Sequence, residues 1–324
     1  MKWTLLIVGL SIATLFGCGG QLPGDGEPLV QCEDVRARGQ LNVFAINLLF
    51  SEIETRDRRL DAITDFVTAM PVDVVLLQEV VGGKLVDTTN SAFDLQGKLR
   101  DRGHEYDLRT AFETGVPGLL AVANAVLSRC EIDMQMVKRL PRASELVFRG
   151  RDVKLARNVM MTRLNIPELG KVNIYNTHLC ANCGADELNV QLDVLLRFIE
   201  DVEEFFPQDN PVILGGDFNI DRFRNSPFDQ RPFYETIINA DFTDAYAEDK
   251  NVEDLCKDPS VADIHCTIGV TSLSIGASAR RIDYIFVKEV EGINTSRVVF
   301  NTLADSSQPT VSDHAGVFVS IELP

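Results

Sequence analysis

Apolar runs alternate with amphipathic stretches along the chain from Leu41 to the C-terminus. Apolar runs bounded by turn residues are typical of β-strands, and apolar residues at three- and four-residue steps are typical of helices. The pattern predicts strands over residues 41–50, 72–80, 118–129, 153–166, 171–179, 211–220, 280–290, 296–303 and 314–323. It predicts helices over residues 54–70, 93–103 and 186–206. This mixture indicates an α/β architecture with more than one sheet face to cover.

The alternation continues without an internal repeat or a second change of composition, so we expect a single domain over residues 40–324. The whole chain of 324 residues has 48 acidic and 31 basic side chains, which give a formal charge of −17. Indiscriminate binding to duplex DNA through a broad basic surface is therefore not expected. Local contact with a phosphate group remains compatible with this charge.

Residues 1–17 have the pattern of a signal peptide. Lys2 gives a positive start, and the apolar run that follows is too short to span a bilayer comfortably. The run ends in LFGC, which resembles the bacterial lipobox and predicts export with lipidation of Cys18; a plain secretory signal cleaved nearby is the alternative. Residues 18–39 are rich in turn residues without apolar periodicity and are predicted to form a tether. The Gly after Cys18 resembles lipoproteins sorted to the outer membrane, so an outer-membrane or cell-surface location is expected.

The remaining cysteines are even in number, which in an exported protein suggests disulfides. They are Cys32, Cys130, Cys180, Cys183, Cys256 and Cys266. The sequence does not give their pairing, although a bridge between Cys256 and Cys266 would restrict the polar stretch between them. Cys180 and Cys183 could instead belong to a metal or redox motif. A disulfide is favoured because no fourth zinc ligand is evident.

Chemically active side chains lie at the ends of the predicted strands. Glu79 and His178 each end a strand, Asp217 and Asn219 end another, and His314 with the preceding Asp313 opens the last one. Open α/β sheets present catalytic groups at strand ends. Each residue alone is commonly structural, but their joint occurrence indicates an active site.

The sequence resembles the endonuclease/exonuclease/phosphatase superfamily in a set of short motifs spread from about Leu41 to the C-terminus. They are Asn47 in FAINLLF, Glu79 in LLQEV, His178 in YNTHL, Asp217 and Asn219 in GGDFN, Asp283 in RRIDYIF, and Asp313 with His314 in VSDHAGV. The resemblance implies a four-layered α/β sandwich, with two mixed β-sheets flanked by helices as in DNase I. It also implies hydrolysis of a phosphate ester assisted by Mg²⁺.

The metal ligands expected from this resemblance are Glu79 with Asn47 and Asp313. Mg²⁺ takes oxygen ligands and retains several waters, so this set suits it better than His or Cys would. Mn²⁺ or another divalent cation is the alternative. The metal would neutralise charge that develops on the phosphate.

The catalytic roles follow from the chemistry of the remaining motif residues. Asp283 is expected to orient His314 and stabilise its cation, which makes the pair a candidate general base toward water. Asp217 is the other candidate for orienting that water. His178 and Asn219 are expected to donate hydrogen bonds to phosphate oxygens.

Two classes of substrate fit these motifs. The loop after THL, the GGDFNID run and RRIDYIFV resemble bacterial neutral sphingomyelinase-type phospholipases C, and a lipid anchor suits an enzyme at a membrane surface. An exported DNase I-like nuclease is the alternative, for which Arg222, Arg224 and Arg231 are candidate DNA contacts. A non-catalytic surface binding lipoprotein is less favoured because the catalytic set is complete. No obligate protein partner is evident from the sequence.

Overall fold

The computed structural model describes residues 32–51, 53–148, 151–207, 211–252, 254–261 and 263–323. The predicted signal peptide, the lipidation site Cys18 and most of the predicted tether lie outside these residues. The folded chain begins earlier than the predicted boundary at residue 40, because Cys32 is buried and helix α1 (Glu33–Arg38) follows it. Arg38 at the end of α1 forms an ion pair of 2.7 Å with the buried carboxylate of Asp73.

Six strands form the first sheet. They are β1 (Gln40–Asn47), β2 (Val74–Gly82), β3 (Asp107–Val116), β4 (Leu120–Ser128), β11 (Gly292–Val299) and β12 (Gly316–Glu322). Their order across the sheet is β11-β12-β1-β2-β4-β3. The β1–β2 pair is parallel and the other pairs are antiparallel, so the sheet is mixed.

The second sheet repeats this arrangement. It contains β5 (Glu131–Phe148), β6 (Arg151–Ile166), β7 (Gly170–His178), β8 (Val212–Asp217), β9 (Thr243–Asp244) and β10 (Asp283–Lys288). Their order is β5-β6-β7-β8-β10-β9, with β7 and β8 as the parallel pair. Each sheet therefore has one parallel pair near its centre, and both pairs end at the region where the predicted site residues lie.

Four helices cover the outer faces of the two sheets: α2 (Arg56–Ala69), α3 (Ser91–Asp101), α4 (Ala185–Phe205) and α5 (Arg231–Ile238). Helix α6 (Ala245–Lys250) instead contacts β10 of the second sheet and β11 of the first. Apolar residues of α2 and α3, including Ile63 and Leu95, share a buried cluster with Phe44 of β1. Leu195 of α4 shares another with Leu214 of β8.

A third apolar cluster lies between the sheets. Val43 and Leu76 of the first sheet share it with Ile174 and Ile285 of the second. The order of layers is helix, sheet, sheet, helix, which confirms the predicted four-layered α/β sandwich. In the described part of the chain, no helix combines the length and apolarity needed to cross a membrane.

Candidate active site

Three of the predicted side chains form a row across the second sheet. His178 at the end of β7 is paired with Asp217 at the end of β8, and Asp217 is paired with Asp283 at the start of β10. All three residues are buried. The row arises because β7 and β8 are parallel and end together, while the antiparallel β10 begins at the same edge.

Two glycines before Asp217 allow the close packing that this row requires. At Gly216, where φ is +136°, an added Cβ would lie 2.0 Å from the carbonyl oxygen of Thr177 on β7. At Gly215 it would lie 2.5 Å from Cδ1 of Leu76 in the first sheet. A side chain is excluded at Gly216, where the contact is with backbone and φ is positive, whereas at Gly215 it would require Leu76 to shift. The GGD sequence therefore brings the Asp217 carboxylate close to β7 and to the opposite sheet.

The first sheet contributes Asn47 and Glu79 from the neighbouring parallel strands β1 and β2. Nδ2 of Asn47 donates a hydrogen bond of 3.1 Å to Oδ2 of Asp217, which joins the two sheets. Glu79 has φ of +53° and lies where the register of β2 against β4 shifts. Such irregularities redirect a side chain. Oε2 of Glu79 accepts a hydrogen bond of 3.1 Å from the backbone N–H of Phe50.

The Asp217 carboxylate lies at the centre of the cluster. Besides Asn47, it accepts a hydrogen bond of 3.0 Å from the backbone N–H of Asn219, and its Oδ2 lies 3.4 Å from Nε2 of His178. Burial raises the pKa of Asp217 to about 7, and the Asp283 carboxylate acts in the same direction. A carboxylate with a raised pKa accepts a proton more readily than an exposed Asp does.

His314 is held by Asp283. Nδ1 of His314 lies 2.8 Å from Oδ2 of Asp283, and Nε2 lies 3.9 Å from Oδ2 of Asp217. Burial lowers the pKa of His314, but the carboxylates of Asp283 and Asp217 more than offset it and raise the pKa to about 10. The predicted orientation of His314 by Asp283 is present in the structure.

His178 has the opposite electrostatics. Its Nδ1 lies 3.2 Å from Nη1 of Arg157. Because a guanidinium only donates, Nδ1 is the acceptor and Nε2 carries the proton. Burial lowers the pKa of His178 well below its usual value, and the Arg157 charge lowers it further. The imidazole is therefore neutral, with its Nε2–H toward Asp217. Its predicted donation to a phosphate oxygen stays a prediction.

Sequence reasoning missed the group behind His178. The buried carboxylate of Glu113 on β3 lies 3.4 Å from Nη1 of Arg157 on β6 and accepts a hydrogen bond of 3.1 Å from Nδ2 of Asn124. Burial raises the pKa of Glu113 to about 8, although Arg157 opposes this. The available signal was Arg157, a charged residue inside the predicted strand over residues 153–166, whereas Glu113 lies in β3, which the pattern did not predict. The partner of each could not be identified from the sequence.

Asn219 and Asp313 are placed less centrally than the other predicted residues. Asn219 has φ of +53°, and its Nδ2 donates a hydrogen bond of 3.1 Å to the carbonyl of Leu179, so it also fixes the loops after β7 and β8. Asp313 is half-buried, and its Oδ1 accepts a hydrogen bond of 3.2 Å from the Ser312 hydroxyl.

The residues present fit a divalent cation. Ligand atoms of Asp217, Asp283 and His314 lie within 4.8 Å of one another, and the Asn47 amide of the first sheet contacts Asp217. The Glu79 carboxylate, also of the first sheet, is near enough to help raise the pKa of Asp217. Within the described residues, Oδ1 of Asp283 is buried without a hydrogen-bond partner. A cluster dominated by carboxylate and amide oxygens is the environment that Mg²⁺ prefers.

The six cysteines of the domain form three disulfides: Cys32–Cys130, Cys180–Cys183 and Cys256–Cys266. Cys180 and Cys183 form the disulfide that the sequence analysis favoured, so their sulfurs are not thiolate metal ligands. A carboxylate oxygen of Asp263 lies within 4.8 Å of the sulfurs of Cys256 and Cys266, but these sulfurs are bonded to each other. A thiolate metal site is therefore excluded there.

Comparison with solved structures shows the same fold in other proteins. An endonuclease/exonuclease/phosphatase family protein from Leptotrichia buccalis C-1013-b is 21% identical with a TM-score of 0.62, covering 87% of this chain and 99% of that one. The endonuclease/exonuclease/phosphatase from Beutenbergia cavernae DSM 12333 is 22% identical with a TM-score of 0.64, covering 88% and 72%. A humanized D. rerio TDP2 is 17% identical with a TM-score of 0.56, covering 87% and 99%.

A two-sheet sandwich with an acidic and histidine cluster at the strand ends thus defines the class of protein. The sequence profile of the Endonuclease/Exonuclease/phosphatase family matches residues 39–314, and the chain belongs to this family. Its members hydrolyse phosphoester bonds, generally with divalent metal ions. A search of curated protein sequences finds no match. The sphingomyelinase-type resemblance expected from the sequence is not confirmed by these comparisons.

Proposed function

We propose that the protein is a divalent-metal-dependent phosphodiesterase. The observation that carries this proposal is the convergence of Asp217, Asp283 and His314 from the second sheet and its flanking loops with Asn47 and Glu79 from the first. Structural roles alone do not account for so many buried ionisable groups at one point, since each is costly to bury without compensation.

Asp217 accepts the proton of the attacking water in this proposal. His314, which Asp283 and Asp217 keep protonated by raising its pKa to about 10, orients the same water by donating a hydrogen bond from Nε2. Oδ2 of Asp217 and Nε2 of His314 are 3.9 Å apart, so one water molecule can contact both. Asp283 holds the imidazole in place and stabilises its cation. The position of the His178 ring is fixed by Arg157. Its Nε2–H donates a hydrogen bond to a phosphate oxygen as negative charge develops there.

Glu79 and Asn47 would hold the metal, with Asp313 as the further ligand expected from the sequence. Mg²⁺, or Mn²⁺ in its place, supplies charge neutralisation at the phosphate when bound. The chain itself keeps these oxygens in position: the backbone N–H of Phe50 orients the Glu79 carboxylate, and the parallel β1–β2 pair sets its distance from Asn47.

We further propose that the enzyme is exported. Three disulfides support this proposal, because such bonds persist mainly in oxidising compartments. The LFGC motif supports attachment through a lipid on Cys18, at the outer membrane or the cell surface. The substrate classes expected from the sequence are a choline-headgroup phospholipid and nucleic acid, and both contain the phosphodiester that this site would cleave.

The test is a parallel assay of the purified protein on sphingomyelin vesicles, single-stranded DNA, duplex DNA and inositol phosphates, each with Mg²⁺ and with EDTA. We expect Mg²⁺-dependent product release from at least one substrate. A protein with Asp217→Asn and His314→Ala is the control and should be inactive on every substrate that the wild type cleaves. Cleavage that persists in EDTA would contradict the metal-dependent class.

A further inference from the structure

The Cys180–Cys183 disulfide differs from the other two disulfides in its exposure. The cysteines of the other two are all buried, with at most 4% of each residue exposed. Cys183 is half-buried, and the two residues between it and Cys180 are both exposed. Thiol–disulfide exchange requires direct approach of a thiolate to one of the sulfurs. Among the disulfides of the described residues, Cys180–Cys183 is therefore the one that a reductant reaches.

The fold should tolerate reduction of this bridge. Its cysteines have a sequence separation of 3, against 98 for Cys32–Cys130 and 10 for Cys256–Cys266. The stabilisation that a disulfide gives by closing a loop in the unfolded chain grows with loop length, so this bridge contributes least. The spacing is also that of Cys-x-x-Cys redox motifs. These properties favour a bridge that opens and closes in the folded protein.

The bridge lies next to the catalytic edge, by which we mean the strand ends that carry His178 and Asp217. His178 is the last residue of β7, and Cys180 follows two positions later. Cys183 directly precedes Gly184, the N-cap of α4. The disulfide therefore fixes the turn by which the chain passes from the catalytic edge into α4.

Leu179 connects the bridge to the catalytic residues. Its backbone N–H donates a hydrogen bond of 2.9 Å to the Asp217 carbonyl, and its carbonyl accepts one of 3.1 Å from Nδ2 of Asn219. The next residue, Cys180, is tied to α4 by the disulfide and by a hydrogen bond of 3.1 Å from its backbone N–H to Oε1 of the buried Gln191. Opening the bridge removes one of these ties and loosens the segment that holds the catalytic edge.

We infer that Cys180–Cys183 is a redox-active disulfide that exchanges with dithiols and controls the catalytic edge, with the oxidised form as the active state. The control of activity rests on the proposed phosphodiesterase function. A thiolate of the dithiol attacks Sγ of Cys183, the bond between the two cysteine sulfurs breaks, and Sγ of Cys180 takes the electron pair and a proton. The second thiol of the reductant then attacks the mixed disulfide, which releases Cys183 as a thiol and leaves the dithiol as a disulfide.

Selective labelling tests the exchange apart from catalysis. The purified full-length protein is incubated for a fixed time with increasing concentrations of dithiothreitol, free thiols are blocked with N-ethylmaleimide, and each cysteine is quantified by peptide mass spectrometry. We expect Cys180 and Cys183 to be labelled at concentrations about tenfold below those that open the other two disulfides, because these are buried. Opening of all three at the same concentration, or of another one first, would overturn the inference.

Hydrogen exchange tests the link with the catalytic edge. The backbone N–H of Leu179 should exchange faster after selective reduction, and equally fast in a Cys180→Ser, Cys183→Ser variant without reductant. Cys256→Ser, Cys266→Ser is the matched control, because it also removes a bridge of short separation. Its Leu179 should exchange slowly until dithiothreitol is added. Slow exchange at Leu179 in the selectively reduced wild type would overturn the control of the catalytic edge.

Activity assays separate this inference from the proposed function. Selective reduction should lower kcat about tenfold, less than the ~10²-fold that a misplacement of about 1 Å can cost, since Leu179 stays buried. The Cys180→Ser, Cys183→Ser variant should have this lower rate with or without dithiothreitol. Full activity of the reduced protein would overturn the control of activity and leave the phosphodiesterase in place. Selective reduction with faster exchange at Leu179, in a protein that cleaves no phosphodiester, would support the redox-active bridge and overturn the proposed function.

Discussion

The Asp283 carboxylate meets Nδ1 of His314 at 2.8 Å, although the two residues are carried by different sheets. Asp283 begins β10 of the second sheet, and His314 lies two residues before β12 of the first. The pair therefore forms only when the two sheets pack face to face. The geometry of the catalytic pair thus depends on the packing of the core between the sheets.

Replacing His314 by Ala is expected to reduce kcat by ~10²- to 10⁴-fold, the usual contribution of general acid-base assistance. The proposed reason is loss of the imidazole that contacts the water. Asp283→Asn should give a smaller loss, because Asp283 acts by orienting His314. Steady-state kinetics on the substrate identified by the parallel assay would measure both effects.

His104→Ala is the control for the His314 variant. His104 is half-buried at the end of α3 and takes no part in the site, so the activity of this variant should match the wild type. Circular dichroism would establish that each variant is folded. A folded His314→Ala protein that keeps more than about a tenth of the wild-type rate would contradict the proposed role.

Replacing Glu79 by Gln should raise the Mg²⁺ concentration needed for half-maximal activity, since a neutral amide is a poorer ligand for a hard cation. A titration of activity against Mg²⁺ concentration measures the shift. EDTA should abolish the activity of the wild type, and added Mg²⁺ should restore it. Glu200→Gln removes an exposed carboxylate of α4 and should leave the metal titration unchanged. If the Glu79→Gln variant needs the same Mg²⁺ concentration as the wild type, Glu79 is not a metal ligand.

The sequence predicted the centre of the site better than its surroundings. Asp217 and His178 end fully buried strands, so apolar runs identified both the strands and the positions where their side chains converge. The edge strands β3 and β5 were missed because only one side of such a strand is paired and its apolar pattern is weaker. Helix α1 was missed because it has six residues and depends on tertiary contacts.

The buried partners of the catalytic residues could not be predicted for a related reason. Arg157 and Glu113 are 44 residues apart, and their contact exists only because β3 and β6 face each other across the two sheets. A charged residue within a β-rich run has no local feature that distinguishes an exposed position from a buried one. The same holds for the pairing of Cys32 with Cys130, which are separated by 98 residues.

Removal of the Cys32–Cys130 disulfide should lower the free energy of unfolding by about 4 to 5 kcal/mol, because the bridge closes a long loop in the unfolded chain. The Cys256–Cys266 bridge spans a sequence separation of 10, and its removal should cost about 2 to 3 kcal/mol. Guanidinium unfolding of the two Cys→Ala double variants would measure the difference. Equal losses would show that loop length does not govern the stabilisation here.

The stability of the protein should depend on pH through His178. In the unfolded chain its pKa is near the usual 6.5. In the folded protein, burial and Arg157 hold the pKa well below that value. Below pH 6.5 the unfolded state binds a proton that the folded state does not, so the free energy of unfolding falls as the pH decreases.

The contribution of His178 to this fall should grow as the pH decreases from 6.5 to 5, since the unfolded imidazole becomes almost fully protonated over this range. Urea unfolding between pH 5 and 8 measures it as the difference between the pH slopes of the wild type and a His178→Asn variant. The variant should have the shallower slope, whatever its absolute stability. His104→Asn is the control for loss of an imidazole outside the site. If the slope of His178→Asn equals that of the wild type, His178 is protonated in the folded state, and its proposed role as a neutral donor would have to be abandoned.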